Sequence, residues 1–582
     1  MPHVFLVAAA CDPYNPGMSD ATRGERSTLN RRQLLRLSTA AGIGVALPGS
    51  VAVAQPRSTG GNAAGSATCS TPRTAVARTQ YGKVRGYVED GVLTFKGVPY
   101  GATTGGENRW LPAKAPAPWD GELPTLIYGA NCPQRLHDWV TEQSFLYQWT
   151  DGWQSEDMLK VNIWTPSVSG SRPVMFYIHG GGFTFGSAYE LASQDGAQLA
   201  RHHDVVSVTV NHRLNILGFL DLSEFGGPAY ADSANVGMTD LVVALRWVRD
   251  NIANFGGDPD RVMIYGQSGG GSKVTALLGM PSARGLIHRA SAQSGGGGNP
   301  PSAEQSRELT KRLIAALGVN DMAALQKMDW ARLNVAGNAA VAAMNPPPGP
   351  AAGPTPAPGS TPRVGWGPSV DGRIIMMRAF FEGAPEISKH VPMLIGSVSE
   401  EGNRMSSRPS EAEWTATLAR SYGDAKAAAI VAALKRAYPS KSIRTLSYMC
   451  SGPGLNGLGM RNSVTRMATM KHQQQGAPAF AWYFRWQSPM LEDAGAWHTA
   501  ELAFCFDNTA RCAQGTGNGP EAQALANKMA TAWANFARTG NPSQPGLPWP
   551  AFTPDRCPTM VFDTQCHMVD DPEREARTIL SG

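Results

Sequence analysis

The sequence has 582 residues, of which 42% are apolar and 17% are charged, a composition typical of a globular protein with a large core. A formal net charge of +5 at pH 7, without any Lys/Arg block, argues against nucleic acid as a partner. Beyond the N-terminal segment, no uninterrupted apolar run approaches the length that a membrane span needs.

The N-terminal segment, residues 1–54, has the features of a twin-arginine signal peptide. The pair Arg31-Arg32 precedes a modest apolar stretch, Leu37–Leu47, and Ala52-Val53-Ala54 follows with the small-x-small pattern that a signal peptidase cleaves. These features predict that the Tat export machinery is a partner of the precursor. They also predict that the mature protein is periplasmic or secreted. A disordered basic tail is the alternative interpretation.

Residues 55–75 are rich in Gly, Ser, Thr and Ala and are predicted to form a flexible linker, after which residues 76–582 form a single domain. In that domain, short apolar β-type runs alternate with segments of helical periodicity. The runs near the functional motifs are Val174–Ile178, Val205–Val210 and Val262–Tyr265, with a helical segment at Thr239–Ile252. This alternation predicts an α/β fold with a mostly parallel central sheet and helices on both faces.

The strongest local motif is Gly266-Gln267-Ser268-Gly269-Gly270, which directly follows the predicted strand ending at Tyr265. It matches the G-x-S-x-G pattern of a nucleophile elbow, a sharp turn from strand to helix. Glycines two residues before and after the serine remove side chains that would clash in so tight a turn. The serine hydroxyl is then exposed beside a helix N-terminus that favours developing negative charge. Ser268 is therefore the predicted nucleophile.

A second glycine motif, His179-Gly180-Gly181-Gly182-Phe183, follows the predicted strand Val174–Ile178. Three glycines let the backbone turn its N–H groups toward a site where an oxyanion needs hydrogen-bond donors. Either motif could arise by chance in a chain with 64 glycines, but the two occur in the expected order and each follows a strand. Together they indicate a serine hydrolase.

Further motifs match one family in order along residues 79–562. They are Phe95–Tyr100, Ser155–Asn162, Val210–Leu214, Asn254–Pro259, Gln293–Gly295 and Asn535–Pro542. With these segments the chain resembles the type-B carboxylesterase family, the cholinesterase/carboxylesterase group of α/β-hydrolases. The resemblance implies the α/β-hydrolase fold, with helical and loop insertions that form a cap and a gorge. The helical segment at residues 411–438 is expected to belong to that cap.

The resemblance also supplies the other two members of a catalytic triad. The family acid, a glutamate after an apolar strand, matches Glu401, and Glu400 stands where the family usually has aspartate. The family histidine matches His498, at the end of the segment Gly495–His498. The chain order Ser268, Glu401, His498 is the order that the fold requires.

The activity implied by the family is hydrolysis of carboxylic esters through an acyl-enzyme, here of small to medium, apolar or aromatic esters. The backbone N–H groups of Gly181, Gly182 and Gly269 match the oxyanion hole, and neither a metal nor another cofactor is implied. An amidase or a carbamate hydrolase would use the same triad. A non-catalytic binding protein is the alternative outside enzymes. The sequence carries no signal for the oligomeric state.

Two residues of the elbow depart from the family pattern. Gln267 stands where the family usually has glutamate, and Gly269 stands where it usually has alanine. Neither change removes a catalytic group, but the first removes a negative charge beside the nucleophile.

Overall fold

Apolar and β-branched segments of the chain form the strands of two sheets. The computed structural model describes residues 68–581, apart from residue 72 and residues 137–141, 346–363, 403–407 and 452–456. Within these residues the strands are β1 (Val76–Thr79), β2 (Gly82–Arg85), β3 (Tyr87–Glu89), β4 (Val92–Pro99), β5 (Glu122–Pro124), β6 (Lys160–Thr165), β7 (Arg172–Ile178), β8 (Val206–Val210), β9 (Gly257–Gln267), β10 (Arg289–Gln293), β11 (Met393–Val398), β12 (Ala479–Phe484), β13 (Pro558–Phe562) and β14 (His567–Asp570).

Helices occupy most of the intervals between the central strands. Within the same residues the α-helices are α1 (Glu142–Tyr147), α2 (Ala197–His203), α3 (Asn215–Phe219), α4 (Val236–Asn251), α5 (Gly269–Leu278), α6 (Ala303–Leu317), α7 (Met322–Gln326), α8 (Trp330–Met344), α9 (Glu411–Tyr422), α10 (Asp424–Ala437), α11 (Ile443–Met449), α12 (Gly457–Gln473), α13 (Leu502–Cys505), α14 (Ala513–Thr516), α15 (Pro520–Thr539) and α16 (Arg574–Ser581). Helices α2, α4 and α5 contact strands that they connect, which is the pattern of βαβ crossovers.

The larger sheet has the strand order β14-β13-β12-β11-β10-β9-β7-β8-β6-β4-β3. The neighbouring strands from β8 to β13 pair in parallel, and the strands at both edges pair antiparallel. Strands β1, β2 and β5 form a smaller sheet. A mostly parallel central sheet with crossover helices confirms the predicted α/β fold class.

Both faces of the parallel sheet are buried. Along β7, Val174, Phe176 and Ile178 belong to one hydrophobic cluster, whereas Met175 and Tyr177 belong to another. Since successive side chains of a strand point to opposite faces, the two clusters lie on opposite sides of the sheet. Burial on both faces explains why this strand has an unbroken apolar sequence rather than an alternating one.

The strand order around β7 creates the crevice where the two glycine motifs meet. After β7 the chain crosses to β8 on one side, and β9 lies on the other side of β7. In open α/β sheets, ligands bind outside the carboxyl ends of the strands at such a reversal. The loops that follow β7 and β9 carry the glycine motif at residues 179–183 and the elbow at residues 266–270.

Strand β9 is longer than the sequence predicts. The apolar run covers only Val262–Tyr265, whereas the strand extends from Gly257 to Gln267. At its start, Gly257 pairs with Arg172 of β7. Pairing with neighbouring strands therefore extends β9 through residues whose own strand propensity is low.

The predicted helical insertion after β11 is present as α9 and α10. Ser410 caps α9 by accepting a hydrogen bond from the N–H of Glu413, whose side chain in turn accepts from the N–H of Ser410. Helix α10 contacts α9 and α16. Their apolar side chains, including Trp414 and Leu434, form a hydrophobic cluster separate from those of the sheet. The placement of these helices as a cap stays a prediction.

The predicted signal peptide, residues 1–54, and residues 55–67 of the predicted linker lie outside the described residues. From Cys69 onward the chain is attached to the sheet, because Cys69 and Val88 exchange backbone hydrogen bonds of 3.0 and 2.8 Å. The boundaries of signal, linker and domain stay predictions. In the part of the chain that the structure describes, no helix has both the length and the apolar content needed to cross a membrane.

Candidate active site

Ser268 lies at the junction of β9 and α5, in the sharp turn that the elbow motif predicts. Its φ of 58° and ψ of −123° are strained for a residue with a side chain. A Cβ at Gly266 would lie 2.6 Å from the backbone of Gly270, and a Cβ at Gly270 would lie 2.1 Å from the carbonyl oxygen of Ile178. Both glycines are required because the start of the helix packs directly against β7. The N–H of Ser268 donates to the carbonyl of Gln293 at 2.8 Å, which fixes the turn from the other side.

The glycine loop, residues 179–183, follows β7 and lies against the elbow. Gly181 and Gly182 have φ of 73° and 63°, in the left-handed region that favours glycine. The loop approaches Gly269 so closely that a Cβ there would lie 2.5 Å from the nitrogen of Gly182. In the described part of the chain, the N–H groups of these three glycines donate no backbone hydrogen bond outside helices and strands. Gly269 also has no acceptor within α5, because it is the first residue of that helix.

Glu401 and His498 come together although 97 residues separate them. One carboxylate oxygen of Glu401 contacts Nδ1 of His498, and the other accepts the N–H of Val398 at 3.2 Å. The hydroxyl of Tyr147 donates to the carbonyl of His498 at 2.8 Å. The carboxylate is fully buried, whereas the imidazole keeps 16% of its side-chain exposure. The carboxylate therefore orients a ring that stays partly accessible to solvent.

The structure places no hydrogen bond between the hydroxyl of Ser268 and His498 within the described residues. Nε2 of His498 lies 3.2 Å from the side-chain nitrogen of Gln267. The residue before the nucleophile thus contacts the imidazole through a neutral amide, where the family pattern has a carboxylate. Catalytic hydrogen bonds are often long in free enzymes and tighten when substrate binds.

Glu400 connects the loop of the acid to the loop of the histidine. Its buried carboxylate accepts the N–H of Ala496 at 2.8 Å and the ammonium of Lys441 at 2.8 Å. The sequence identified Glu400 only as a substitute for the family aspartate. Its hydrogen bonds show that it holds together the two segments that carry Glu401 and His498.

A second carboxyl group, Glu501, is buried beside this pair. Burial and the negative charge of Glu401 raise the pKa of Glu501 to about 7. Gln293 donates to one carboxyl oxygen at 3.3 Å, and the other oxygen has no hydrogen-bond partner among the described residues. Glu501 therefore titrates near neutral pH, unlike an ordinary glutamate.

Lys273, which belongs to none of the sequence motifs, lies under the glycine loop. Its side chain is fully buried, a rare state for lysine. The ammonium donates to the carbonyl oxygens of His179 and Gly180 at 3.0 and 3.3 Å. The signal that could have found it is a lysine inside an apolar helical segment, between Ser272 and Val274, on the helix that begins at the elbow.

Comparison with known proteins identifies the family. The family model described as "Carboxylesterase family" matches residues 73–578. The chain belongs to the carboxylesterase family. This carboxylesterase is 32% identical to para-nitrobenzyl esterase of Bacillus subtilis, over 86% of this chain and 97% of the relative. It is 34% identical to phenmedipham hydrolase of Pseudarthrobacter oxydans, over 82% of this chain and 93% of the relative.

Solved structures support the family assignment and the fold. The chain matches an esterase from the anaerobe Clostridium hathewayi that can hydrolyse aliphatic aromatic polyesters. The TM-score is 0.75 at 32% identity, over 88% of this chain and 99% of that chain. These matches confirm the predicted α/β-hydrolase fold and identify the protein as a carboxylic ester hydrolase. In the described residues, no group of three or more His, Cys, Asp or Glu side chains is arranged to hold a metal ion.

Proposed function

We propose that this carboxylesterase hydrolyses esters through an acyl-enzyme on Ser268, with His498 as general base and acid and Glu401 as its orienting carboxylate. The contact between the buried carboxylate of Glu401 and Nδ1 of His498 carries the proposal. The loops after the parallel strands β9 and β11 leave the same edge of the sheet, so the acid loop and the nucleophile elbow share one crevice.

Each step of ester hydrolysis can then be assigned to a residue of the site. His498 accepts the proton of Ser268 as the serine oxygen attacks the ester carbonyl, and Glu401 stabilises the imidazolium that forms. The N–H groups of Gly181, Gly182 and Gly269, together with the N-terminus of α5, stabilise the oxyanion. His498 returns the proton to the leaving alcohol. Water then attacks the acyl-enzyme by the same route and releases the acid.

A cavity of about 220 Å³ beside the site supports small to medium acyl groups as the substrate class. Its lining includes Phe183, Ser272, Trp366, Ile375, Met377 and Ala379. Phe183 directly follows the glycine Gly182, and Ser272 lies one helical turn after Ser268. The lining is mainly apolar, which favours apolar or aromatic acyl groups over charged ones.

Hydrolysis of nitrophenyl acetate, butyrate, hexanoate and dodecanoate by the mature protein tests the proposal. We expect a higher kcat/KM for the short and medium esters than for the dodecanoate, because of the size of the cavity. Ser268→Ala should lower kcat by about 10⁶-fold, as loss of the nucleophile does in other serine hydrolases. The parent should also release a burst of nitrophenol as the acyl-enzyme accumulates.

Other outcomes would redirect the assignment. If Ser268→Ala hydrolysed the esters as fast as the parent, Ser268 would not be the nucleophile. If the parent were inactive on every ester, amide and carbamate substrates would be tested next. Inactivity on those substrates as well would favour a binding protein.

We further propose that the precursor is exported by the twin-arginine pathway to the periplasm or the medium. The pair Arg31-Arg32 before an apolar stretch and a cleavage pattern supports this. Replacing both arginines with lysine should retain esterase activity in the bacterial cytoplasm. Unchanged export of that double variant would contradict the pathway.

A further inference from the structure

Lys273 is a buried cation on the helix that begins at the nucleophile. It lies on α5, five residues after Ser268, and none of its side chain is exposed. Removing an ammonium group from water is costly, and a buried charge adds little net stability even when it is paired. The effect of Lys273 is therefore expected at the groups that its ammonium contacts.

Those groups all belong to the glycine loop. Nζ of Lys273 donates to the carbonyl oxygens of His179 at 3.0 Å and of Gly180 at 3.3 Å. The ammonium also lies 5.6 Å from the centre of the Phe183 ring, at the other end of the loop. One cation thus contacts the loop before and after the two oxyanion glycines.

Peptide geometry connects these contacts to the oxyanion hole. The carbonyl of Gly180 and the N–H of Gly181 belong to one planar trans peptide group, so they point in opposite directions. A carbonyl held toward Lys273 therefore turns the N–H of Gly181 away from the lysine. A charge-assisted hydrogen bond to the carbonyl also polarises the peptide, which makes its N–H a stronger donor.

We propose that Lys273 is a positioning residue that orients the glycine loop and strengthens its N–H groups as donors to the oxyanion. This inference rests on the proposed function, because it assigns a role in the same reaction. It adds a residue outside the triad and outside the donors themselves. Lys273 acts through the loop and contacts neither the substrate nor the reacting atoms.

Below its own pKa, Lys273 is the cation at the loop; as a neutral amine it still donates a hydrogen bond but without the charge. Burial lowers the pKa of Lys273 to about 7, and the charge of Glu190 opposes that change. Burial and the charge of Lys273 hold the pKa values of His179 and His212 well below the usual range, so both imidazoles are neutral. Burial raises the pKa of Glu190 to about 7.

The chain offers a matched control in Lys471. This lysine is also buried, and its ammonium also donates to two backbone carbonyl oxygens, those of Ser388 at 3.2 Å and Lys389 at 2.8 Å. It lies on α12, outside the elbow and the glycine loop. Lys471→Met therefore removes the same kind of interaction without affecting the oxyanion hole.

The test compares the parent with Lys273→Met, Lys273→Arg and Lys471→Met, using kcat and KM for nitrophenyl acetate. It also measures affinity for an alkyl trifluoromethyl ketone and for the matching secondary alcohol. The serine oxygen adds to the ketone carbonyl and converts its oxygen to an oxyanion, whereas the alcohol cannot form one. A loss confined to the oxyanion separates positioning from a general structural effect.

We expect Lys273→Met to lower kcat by about 10²- to 10³-fold, the usual effect of losing one oxyanion donor. Affinity for the trifluoromethyl ketone should fall by a similar factor, while KM and affinity for the alcohol stay near those of the parent. Lys273→Arg, which keeps the charge, should retain more activity than Lys273→Met. Lys471→Met should keep the parent kcat.

Two results would overturn the proposal. One is a kcat of Lys273→Met within about threefold of the parent. The other is a loss of ketone affinity no larger than the loss of alcohol affinity. If Lys273→Met does not fold, Lys273→Gln replaces it under the same criteria. Failure of the triad itself would be distinguished by Ser268→Ala retaining activity.

Discussion

In the half of the site formed by the elbow and the glycine loop, close backbone contacts and the buried ammonium of Lys273 set the geometry. In the half that carries Glu401 and His498, hydrogen bonds of carboxylate side chains set it. Around Ser268, a strained turn is fixed by close backbone contacts at Gly266, Gly269 and Gly270. In the acid–histidine half, the loops are joined by the carboxylate of Glu400 and its polar partners. At Gly266, Gly269 and Gly270 the first half has no space for an added atom, whereas the second half depends on individual hydrogen bonds.

This difference predicts how each half fails. A steric change should damage the backbone half, because close-packed backbone atoms cannot move apart without shifting the N–H donors. Loss of the Lys273 charge should also damage that half, because the ammonium donates to two carbonyls of the glycine loop. Other isosteric changes of charge should weaken mainly the side-chain half, where carboxylate oxygens accept from a backbone N–H or an ammonium.

Among variants that test the contrast between the two halves, the largest loss of turnover is expected from Gly269→Ala, although alanine is the residue that the family pattern has there. The new Cβ would lie 2.2 Å from the carbonyl oxygen of Gly182 and 2.5 Å from its nitrogen. The glycine loop must move away, which displaces the oxyanion donors. We expect kcat to fall by about 10- to 100-fold, with KM little changed, in nitrophenyl acetate hydrolysis.

Gly383→Ala is the matched control for this change. A Cβ at Gly383 would meet only the terminal carbon of Met377, at 3.9 Å. That variant should keep the parent kcat and thermal midpoint. A Gly269→Ala enzyme with the parent kcat would show that the glycine loop is not confined by the elbow, and the contrast between the two halves would disappear.

A smaller loss is expected from Glu400→Gln in the acid–histidine half. The amide nitrogen of the new glutamine would face either the N–H of Ala496 or the ammonium of Lys441. In either orientation one hydrogen bond is lost, because two hydrogen-bond donors then point at each other. We expect the free energy of unfolding to fall by about 2 kcal/mol, typical of a lost hydrogen bond to a charged group. The kcat should fall by less than in Gly269→Ala, because Glu401 keeps its own contact with His498.

A double-mutant cycle with Lys441→Met identifies the cause. Glu400→Gln should cost less stability when Lys441 is already methionine, because the repulsion with the ammonium is then absent. Equal costs in both backgrounds would mean that the pair with Lys441 does not stabilise these loops. The urea-unfolding free energies of the four proteins provide the measurement.

The same contrast explains how far the sequence could predict the site. The elbow and the glycine loop were predicted from residue patterns, because glycines required by close backbone contacts recur at fixed short spacings. Glu401 and His498 needed the family resemblance, since 97 residues separate them and only the fold brings them together. Lys273 escaped prediction because its partners are backbone carbonyls, which every residue has and no sequence pattern marks.

The strands, too, were predicted where their own sequence determines them and not where contacts with other segments do. The apolar runs of β7 and β8 were predicted nearly to their ends, because burial on both faces leaves a continuous apolar sequence. Strand β9 extends beyond its apolar run because pairing with β7, rather than its own composition, continues it. Contacts between distant segments therefore account for most of what the sequence did not predict.

The smallest effect on turnover is expected from Glu501→Gln. This variant tests whether the buried carboxyl group of Glu501, beside the acid–histidine pair, destabilises the folded protein above neutral pH. The pKa of Glu501 is raised to about 7, from 4.5, by burial and by the charge of Glu401. Between these values the folded protein holds a proton that the unfolded chain has released. Stability therefore falls as the pH rises through this window, by up to about 1.4 kcal/mol per pH unit.

Glutamine at position 501 should remove that dependence without a steric change. Trp533 donates to Oε1 of Gln293, so the amide nitrogen of Gln293 faces Glu501 and can donate to a glutamine oxygen as well. The variant should therefore be more stable than the parent at about pH 8 and lose that advantage toward about pH 5, as measured by urea unfolding. A constant difference across this range would mean that Glu501 keeps an ordinary pKa. The negative charge beside the triad at neutral pH would then come from two buried carboxylates rather than from Glu401 alone.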